Sequence, residues 1–150
     1  MRVSTKSDYA LRALIEIARS DDVVSAERIA AKQDIPATFL QAILADLRRA
    51  AIVASQRGQS GGWRMAADPT TVAIADVIRA VDGPLLSVYG LRPENVQYNE
   101  SAQVLQTVWV AARSSLRSVF ETTTLAHLAA GELPKDVVAR TVDEDAWQTR

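Results

Sequence analysis

The sequence predicts a mainly α chain with a small β-hairpin wing: a winged helix-turn-helix domain followed by a long C-terminal dimerisation helix. Three observations carry that expectation. Two helical segments meet at a tight turn around Asp34-Ile35-Pro36. A glycine-rich hairpin signal flanked by arginines comes directly after them, within residues 52–66. Apolar residues then recur at helical spacing along residues 101–121.

The first helix can be capped by Ser4 or Thr5, and Tyr9, Leu11, Leu14, Ile15, Ile17 and Ala18 form its apolar stripe until Asp21-Asp22 ends it. Ser25 is an N-cap residue type and opens a short second helix with Ala26, Ile29 and Ala30 on one face. Pro36 cannot continue that helix but suits the start of the next. The third helix is expected from about Ala37 to Ala50, with Phe39, Leu40, Ile43, Leu44 and Leu47 facing inward. Thr38, Gln41, Ala45, Arg48 and Arg49 fall on its other faces. A short helix, a tight turn and a helix with a polar free face make a helix-turn-helix candidate. The same three helices also fit an ordinary packing unit.

The hairpin signal favours the helix-turn-helix over the packing unit. Ile52–Ser55 and Trp63–Ala66 read as strands around the turn Gly58-Gln59-Ser60-Gly61-Gly62. Glycines at the tip let the backbone approach a phosphate closely, and Arg57 and Arg64 flank it. Asp68-Pro69-Thr70-Thr71 is expected to cap a fourth helix with Val72, Ile74, Val77, Ile78 and Val81 as its apolar set, closed at Asp82-Gly83-Pro84.

Residues 85–100 read as a loop, and a long helix is expected from Ser101 to Glu121. Its seam comprises Leu105, Val108, Trp109, Ala112, Leu116, Val119 and Phe120. A domain this small cannot cover so long a seam, so the same helix of a second copy is the expected cover; packing on its own domain is the alternative. Thr124 can cap a last short helix, Leu125 to Ala130, ended by Gly131. The expected organisation is 1–83 DNA-binding domain, 84–100 linker loop, 101–131 dimerisation helix and short terminal helix, and 132–150 acidic tail. An anchor for the tail around Trp147 is expected, the partner subunit being one candidate.

Composition excludes several classes of chemistry. The 150 residues, 48% hydrophobic, suffice for one modest core. The absence of cysteine removes disulfides, thiolate metal sites, iron–sulfur ligation and cysteine nucleophiles. His127 is the sole histidine, and it falls on the short terminal helix, where a structural role is expected rather than that of a general base. No enzyme activity, metal or cofactor is therefore expected. Met1 to Asp8 is polar and no apolar run is long enough to span a membrane, so the expectation is a soluble cytoplasmic chain with no membrane partner. The net charge of −1 hides an asymmetry: residues 1–65 carry ten Lys/Arg against seven Asp/Glu, giving +3, and the remainder gives −4. The basic half could meet phosphates on one face.

Five blocks carry a family resemblance. Ser4-Thr5-Lys6-Ser7-Asp8-Tyr9-Ala10-Leu11-Arg12-Ala13-Leu14 resembles the opening of the IscR/NsrR/CymR-type (Rrf-two) family of bacterial winged helix-turn-helix transcriptional regulators. Ile35-Pro36-Ala37-Thr38-Phe39-Leu40-Gln41-Ala42-Ile43-Leu44 is similar to its recognition helix, and Arg57-Gly58-Gln59-Ser60-Gly61-Gly62-Trp63 to its wing. Ile74–Gly83 and Thr124–Leu128 also match. The resemblance implies a homodimeric repressor or activator with crossed long helices. Many members hold an iron–sulfur cluster on three cysteines before the long helix; the comparable positions here are near Leu91, Gln97 and Gln103, none of which can ligate iron.

The expected function is that of a sequence-specific regulator, with repression the expected mode, acting as a homodimer on palindromic double-stranded DNA without an iron–sulfur cluster. Gln41 is the expected base reader, with Ala37 and Thr38 near the helix start. Ser4, Lys6, Arg48 and Arg49 are expected to position phosphates, while Arg57, Gln59 and Ser60 reach the minor groove. Tyr89, Arg92, Tyr98 and Trp109 are expected to line a pocket for a small aromatic or anionic effector, with a plain hydrophobic junction as the alternative. The rival function is a winged-helix interaction module that binds a partner enzyme rather than DNA.

Overall fold

A computed structural model of the chain describes residues 2–58 and 60–149. Helix α1 (Thr5–Ala18) begins at Ser4, whose extended backbone lets its Oγ accept the Ser7 N–H at 2.9 Å. Helix α2 (Ala26–Gln33) starts the same way, with Ser25 Oγ accepting from Arg28 N at 3.2 Å. It stops where Asp34 turns left-handed at φ 50°, a conformation that Asp tolerates better than most side chains. Pro36 then opens α3 (Ala37–Arg49).

Leu40, Ile43, Leu44 and Leu47 of α3 are buried as their spacing requires. Phe39, expected inward, is instead 57% exposed. It lies about 100° around the helix from Leu40, on the margin of the apolar stripe. There its ring meets Tyr9 edge-on, with centroids 6.4 Å apart and planes at 80°.

Strands β1 (Val53–Gln56) and β2 (Gly62–Met65) pair antiparallel, Val53 opposite Met65 and Gln56 opposite Gly62. The hairpin is pinned to the segment before α2 by a pair of bonds between Val24 and Trp63, 2.9 and 2.8 Å long. Gly62 makes that approach feasible, since a Cβ there would lie 2.5 Å from the Val24 carbonyl oxygen.

Helix α4 (Ile74–Val81) starts later than the Asp68–Thr71 cap predicts. Asp68 instead closes its own turn, accepting from the Thr70 amide at 2.8 Å and the Thr70 hydroxyl at 2.7 Å. The helix begins where Asp76 accepts the Ala73 N–H at 3.1 Å. Ala73, just before the helix, is left extended and bridges to Thr124: Leu125 N donates to Val72 O and Ile74 N to Thr123 O, both at 2.9 Å. This seats fully buried Leu125 in the same core cluster as Leu14, Leu40, Leu44 and Val77. Helix α6 (Leu125–Ala130) thus packs on α1, where Arg19 donates to the Ala129 carbonyl at 2.8 Å.

Between them runs α5 (Val104–Phe120), shorter than the predicted Ser101–Glu121 because Asn99 caps a separate single turn at Glu100–Ala102. The tail forms α7 (Lys135–Ala139) and a turn at Glu144–Trp147. Within the chain, Trp147 Nε1 donates to Thr141 O at 2.8 Å inside the tail itself, and Arg140 donates to Ser118 Oγ on α5 at 3.2 Å; Trp147 is otherwise exposed. Among the described residues no helix is long and apolar enough to cross a membrane.

Candidate nucleic-acid interface

The outer face of α3 presents Ala37, Thr38, Gln41, Arg48 and Arg49, all exposed. Pro36 gives α3 no side-chain cap and its first turn carries no acid, so the positive end of the helix faces outward uncompensated. Arg48 and Arg49 occupy the opposite end, and the Arg48 guanidinium reaches to 3.5 Å from Ser55 Oγ on β1. At the wing, Arg57 and Ser60 are exposed, and the tip is closed by Gly61 N donating to Gly58 O at 2.9 Å. Gln59 lies outside the described residues.

Ser4 and Lys6 have internal partners. The Ser4 hydroxyl donates to the Asp82 carboxylate, which also accepts from Ser7 Oγ at 2.6 Å. The Lys6 ammonium lies 2.6 Å from Asp46 on α3 and donates to the Val81 carbonyl of α4 at 2.8 Å. Asp46 also holds Arg49 at 2.8 Å. Lys6, then Arg49, keeps the Asp46 carboxyl below the ordinary aspartate range. One carboxylate therefore restrains two of the cations expected at phosphates.

Along α5 no side chain is fully buried. Leu105 and Val108 are 40% and 53% exposed, while Trp109, Ala112, Leu116, Val119 and Phe120 are half-buried. Flanking Val104 and Val110 are exposed as well, so Leu105 and Val108, at the N-terminal end of the seam, are the parts of it the chain covers least.

The four residues expected to share one pocket do not. Trp109 Nε1 donates to the Tyr98 hydroxyl at 3.0 Å, and Tyr98 and Tyr89 border a cleft with Leu91 and Gln97. Arg92 instead faces a second cleft, together with Arg79, Arg113 and Arg117. The cause is local: Val88 pairs with Leu91 across a turn with left-handed backbone at Tyr89 and Gly90, which parts Tyr89 from Arg92.

His127 serves as a helix cap. Its Nδ1 accepts the Thr124 N–H at 3.1 Å while Thr124 Oγ1 accepts the His127 N–H at 3.4 Å. Sequence reasoning missed two features. Asp46 precedes Arg49 by one helical turn, a readable pair, but its contact with Lys6 is tertiary. Arg113 and Arg117 stand four apart on α5 and share a face, a signal that could have been found.

Known proteins share this architecture. The Rrf2 family model, described as an iron-dependent transcriptional regulator, matches residues 3–131. A Mycobacterium tuberculosis protein named among HTH-type transcriptional regulators is 42% identical over 151 residues, covering 99% of this chain and 94% of that protein. The HTH-type transcriptional regulator CymR of Bacillus subtilis is 30% identical over 131 residues, covering 86% of this chain and 90% of its own. The solved structure of CymR, described as the global cysteine regulator of B. subtilis, superposes with a TM-score of 0.75 at 28% identity over 87% of this chain and 98% of that one. That of T. potens IscR gives 0.68 at 26% identity over 100% and 93%. These proteins are regulators, not enzymes, and the fold is that of a winged helix-turn-helix.

The iron of the family description finds no thiolate donors in this chain. The sequence has no cysteine, and Leu91, Gln97 and Gln103 offer no thiolate. Among the described residues no three His, Cys, Asp or Glu side chains come together as a metal site. The residues do not fit an iron–sulfur cluster.

Proposed function

The chain belongs to the Rrf2 family of transcriptional regulators, and from that premise we propose that it is a sequence-specific DNA-binding repressor. It acts as a homodimer on a palindromic operator and senses through something other than an iron–sulfur cluster. The single observation that carries this reading is the free polar face of α3, bounded by an uncapped positive N-terminus and by Arg48-Arg49. Residues 1–83 form the DNA-binding domain, residues 84–100 the linker and α5 the dimerisation element.

Each residue takes a role on this reading. Gln41 reads an adenine edge through its amide, with Thr38 and Ala37 beside it at the helix start. Arg48, Arg49 and the α3 N-terminus hold phosphates, and Arg57, Gln59 and Ser60 follow the minor groove. Ser4 and Lys6 contact phosphate by exchanging Asp82 and Asp46 for it. The exposed Leu105 and Val108, continuing through Trp109, Ala112, Leu116, Val119 and Phe120, pair with the same seam of a second copy. Two-fold symmetry then sets half-sites about 34–36 Å apart or at a multiple of that spacing.

The test is selection of a random duplex library by the purified protein at about 100 mM salt, where phosphate contacts still register, with Gln41→Ala in parallel. An enriched palindrome that changes in the variant supports the reading. No enrichment, with or without cell extract, sinks it in favour of a module that binds a protein partner.

A further inference from the structure

The arginine-lined cleft lies where the DNA-binding half meets α5. Arg79 comes from α4, Pro84, Leu85, Leu86, Arg92 and Glu94 from the linker, and Arg113 and Arg117 from α5. It encloses about 260 Å³. Three of its four guanidiniums have carboxylate partners: Arg79 with Asp76 and Glu121, Arg117 with Glu121 at 2.9 Å, and Arg113 with Glu94. The Arg92 guanidinium forms no salt bridge among the described residues, though its charge acts on Glu94, the carboxylate that Arg113 already holds. The cleft therefore holds an excess of positive charge beside an apolar wall of Pro84, Leu85 and Leu86.

We propose that this cleft is the effector site, and that it takes a small organic polyanion, a di- or tricarboxylate or a phosphorylated metabolite. Planar guanidiniums match carboxylate and phosphoryl oxygens two at a time, and the leucines suit a short carbon body. Glu94 and Glu121 occupy those donors when no ligand is present, so binding is an exchange of one set of acids for another. That exchange has a mechanical consequence. The Arg79–Glu121 pair ties α4 to the end of α5, and Arg113–Glu94 ties α5 to the linker. A ligand that takes over these arginines resets how the DNA-binding half is held on the long helix, and so biases operator affinity. The site rests on the regulatory reading only for that last coupling.

The experiment titrates citrate and, separately, inorganic phosphate into the full-length chain by calorimetry at constant ionic strength. Arg92→Gln and Arg113→Gln are compared with Arg28→Gln, an exposed arginine of α2 outside the cleft. Saturable binding is expected, weakened about tenfold or more by each cleft variant and unchanged by Arg28→Gln, as for a charged group that loses its partner. Preference for citrate or for phosphate assigns the carboxylate or the phosphoryl class. No saturable binding of either anion, or binding undiminished in both cleft variants, overturns the site. Operator affinity is then measured with and without the anion that binds. A shift in the wild type that Arg92→Gln abolishes is expected; an unchanged affinity overturns the coupling while the site stands. If no operator exists, the regulatory reading falls and the calorimetry alone decides the site.

Discussion

Lys6 of α1 and Asp46 of α3 are 2.6 Å apart, and the same carboxylate holds Arg49 at 2.8 Å. A residue on the helix proposed to meet DNA thus neutralises two cations that would otherwise meet phosphates. The pairing keeps α1 and α3 in register, and it also sets how much positive charge the surface offers. Asp46→Asn is expected to release both cations. Non-specific DNA affinity should rise at every salt concentration, because binding no longer has to break the Asp46 pairs, while the slope of log K against log salt stays about the same, since the same phosphate contacts form in both proteins. The loss in stability should stay within about 1 kcal/mol per pair, because both partners border solvent. Filter binding over a salt series, read beside chemical denaturation, separates these effects. An unchanged affinity would mean that Asp46 does not compete with phosphate for either cation.

Base readers and phosphate holders differ in what their removal changes. Gln41→Ala should cost about 1–3 kcal/mol on the preferred operator and relax a single base position. Lys6→Ala should weaken every sequence alike and flatten the salt slope by about one. Competition between the operator and a scrambled duplex distinguishes them. A loss of discrimination in Lys6→Ala, or its retention in Gln41→Ala, would reverse the assigned roles.

The wing depends on one close approach. At Gly62 any Cβ would meet the Val24 carbonyl at 2.5 Å, and backbone cannot move aside as a flexible side chain can. Gly62→Ala should therefore part β2 from Val24 and destabilise the fold by about 1–3 kcal/mol, the usual range for overpacking. Denaturant midpoints for the wild type and the variant give this directly. Gly58 is the control, since its Cβ would meet nothing, although its φ of 114° carries its own backbone strain. Equal midpoints for Gly62→Ala and the wild type would show that the Val24 contact is dispensable.

Local signals in the sequence are legible where they act locally. Ser4 and Ser25 cap the helices they precede, and the spacing of Leu40, Ile43, Leu44 and Leu47 marks the buried face of α3. Departures arise where a long-range contact competes with a local preference. Asp68-Pro69-Thr70-Thr71 has cap chemistry, but residues 72–74 are drawn into pairing with Thr123–Leu125, which delays α4 to Ile74. Phe39 has the hydrophobicity of a core residue and lies just off the stripe, a difference of one helical step. The shared pocket does not form for a further reason: nothing in residues 85–100 reveals that a left-handed turn at Tyr89-Gly90 will separate Tyr89 from Arg92. The Lys6–Asp46 contact joins residues forty positions apart, beyond the reach of any periodicity.

The seam of α5 makes a prediction about assembly. Leu105 and Val108 stand exposed beside Val104 and Val110, whereas Leu116, Val119 and Phe120 are already partly covered by their own chain. Pairing between copies should therefore depend most on the N-terminal half of the helix. Val108→Glu is expected to dissociate the proposed dimer, because a carboxylate would be buried without a partner at the interface, a penalty of several kcal/mol. Val119→Ala, nearer the chain's own core, should lower folding stability and leave assembly largely intact. Sedimentation velocity across a concentration series reads the first effect and thermal melting the second. Monomers in Val119→Ala and dimers in Val108→Glu would place the interface at the wrong end. Since an operator with two half-sites needs two linked domains, Val108→Glu should also lose the palindrome's advantage over a single half-site, a comparison that ties assembly to recognition.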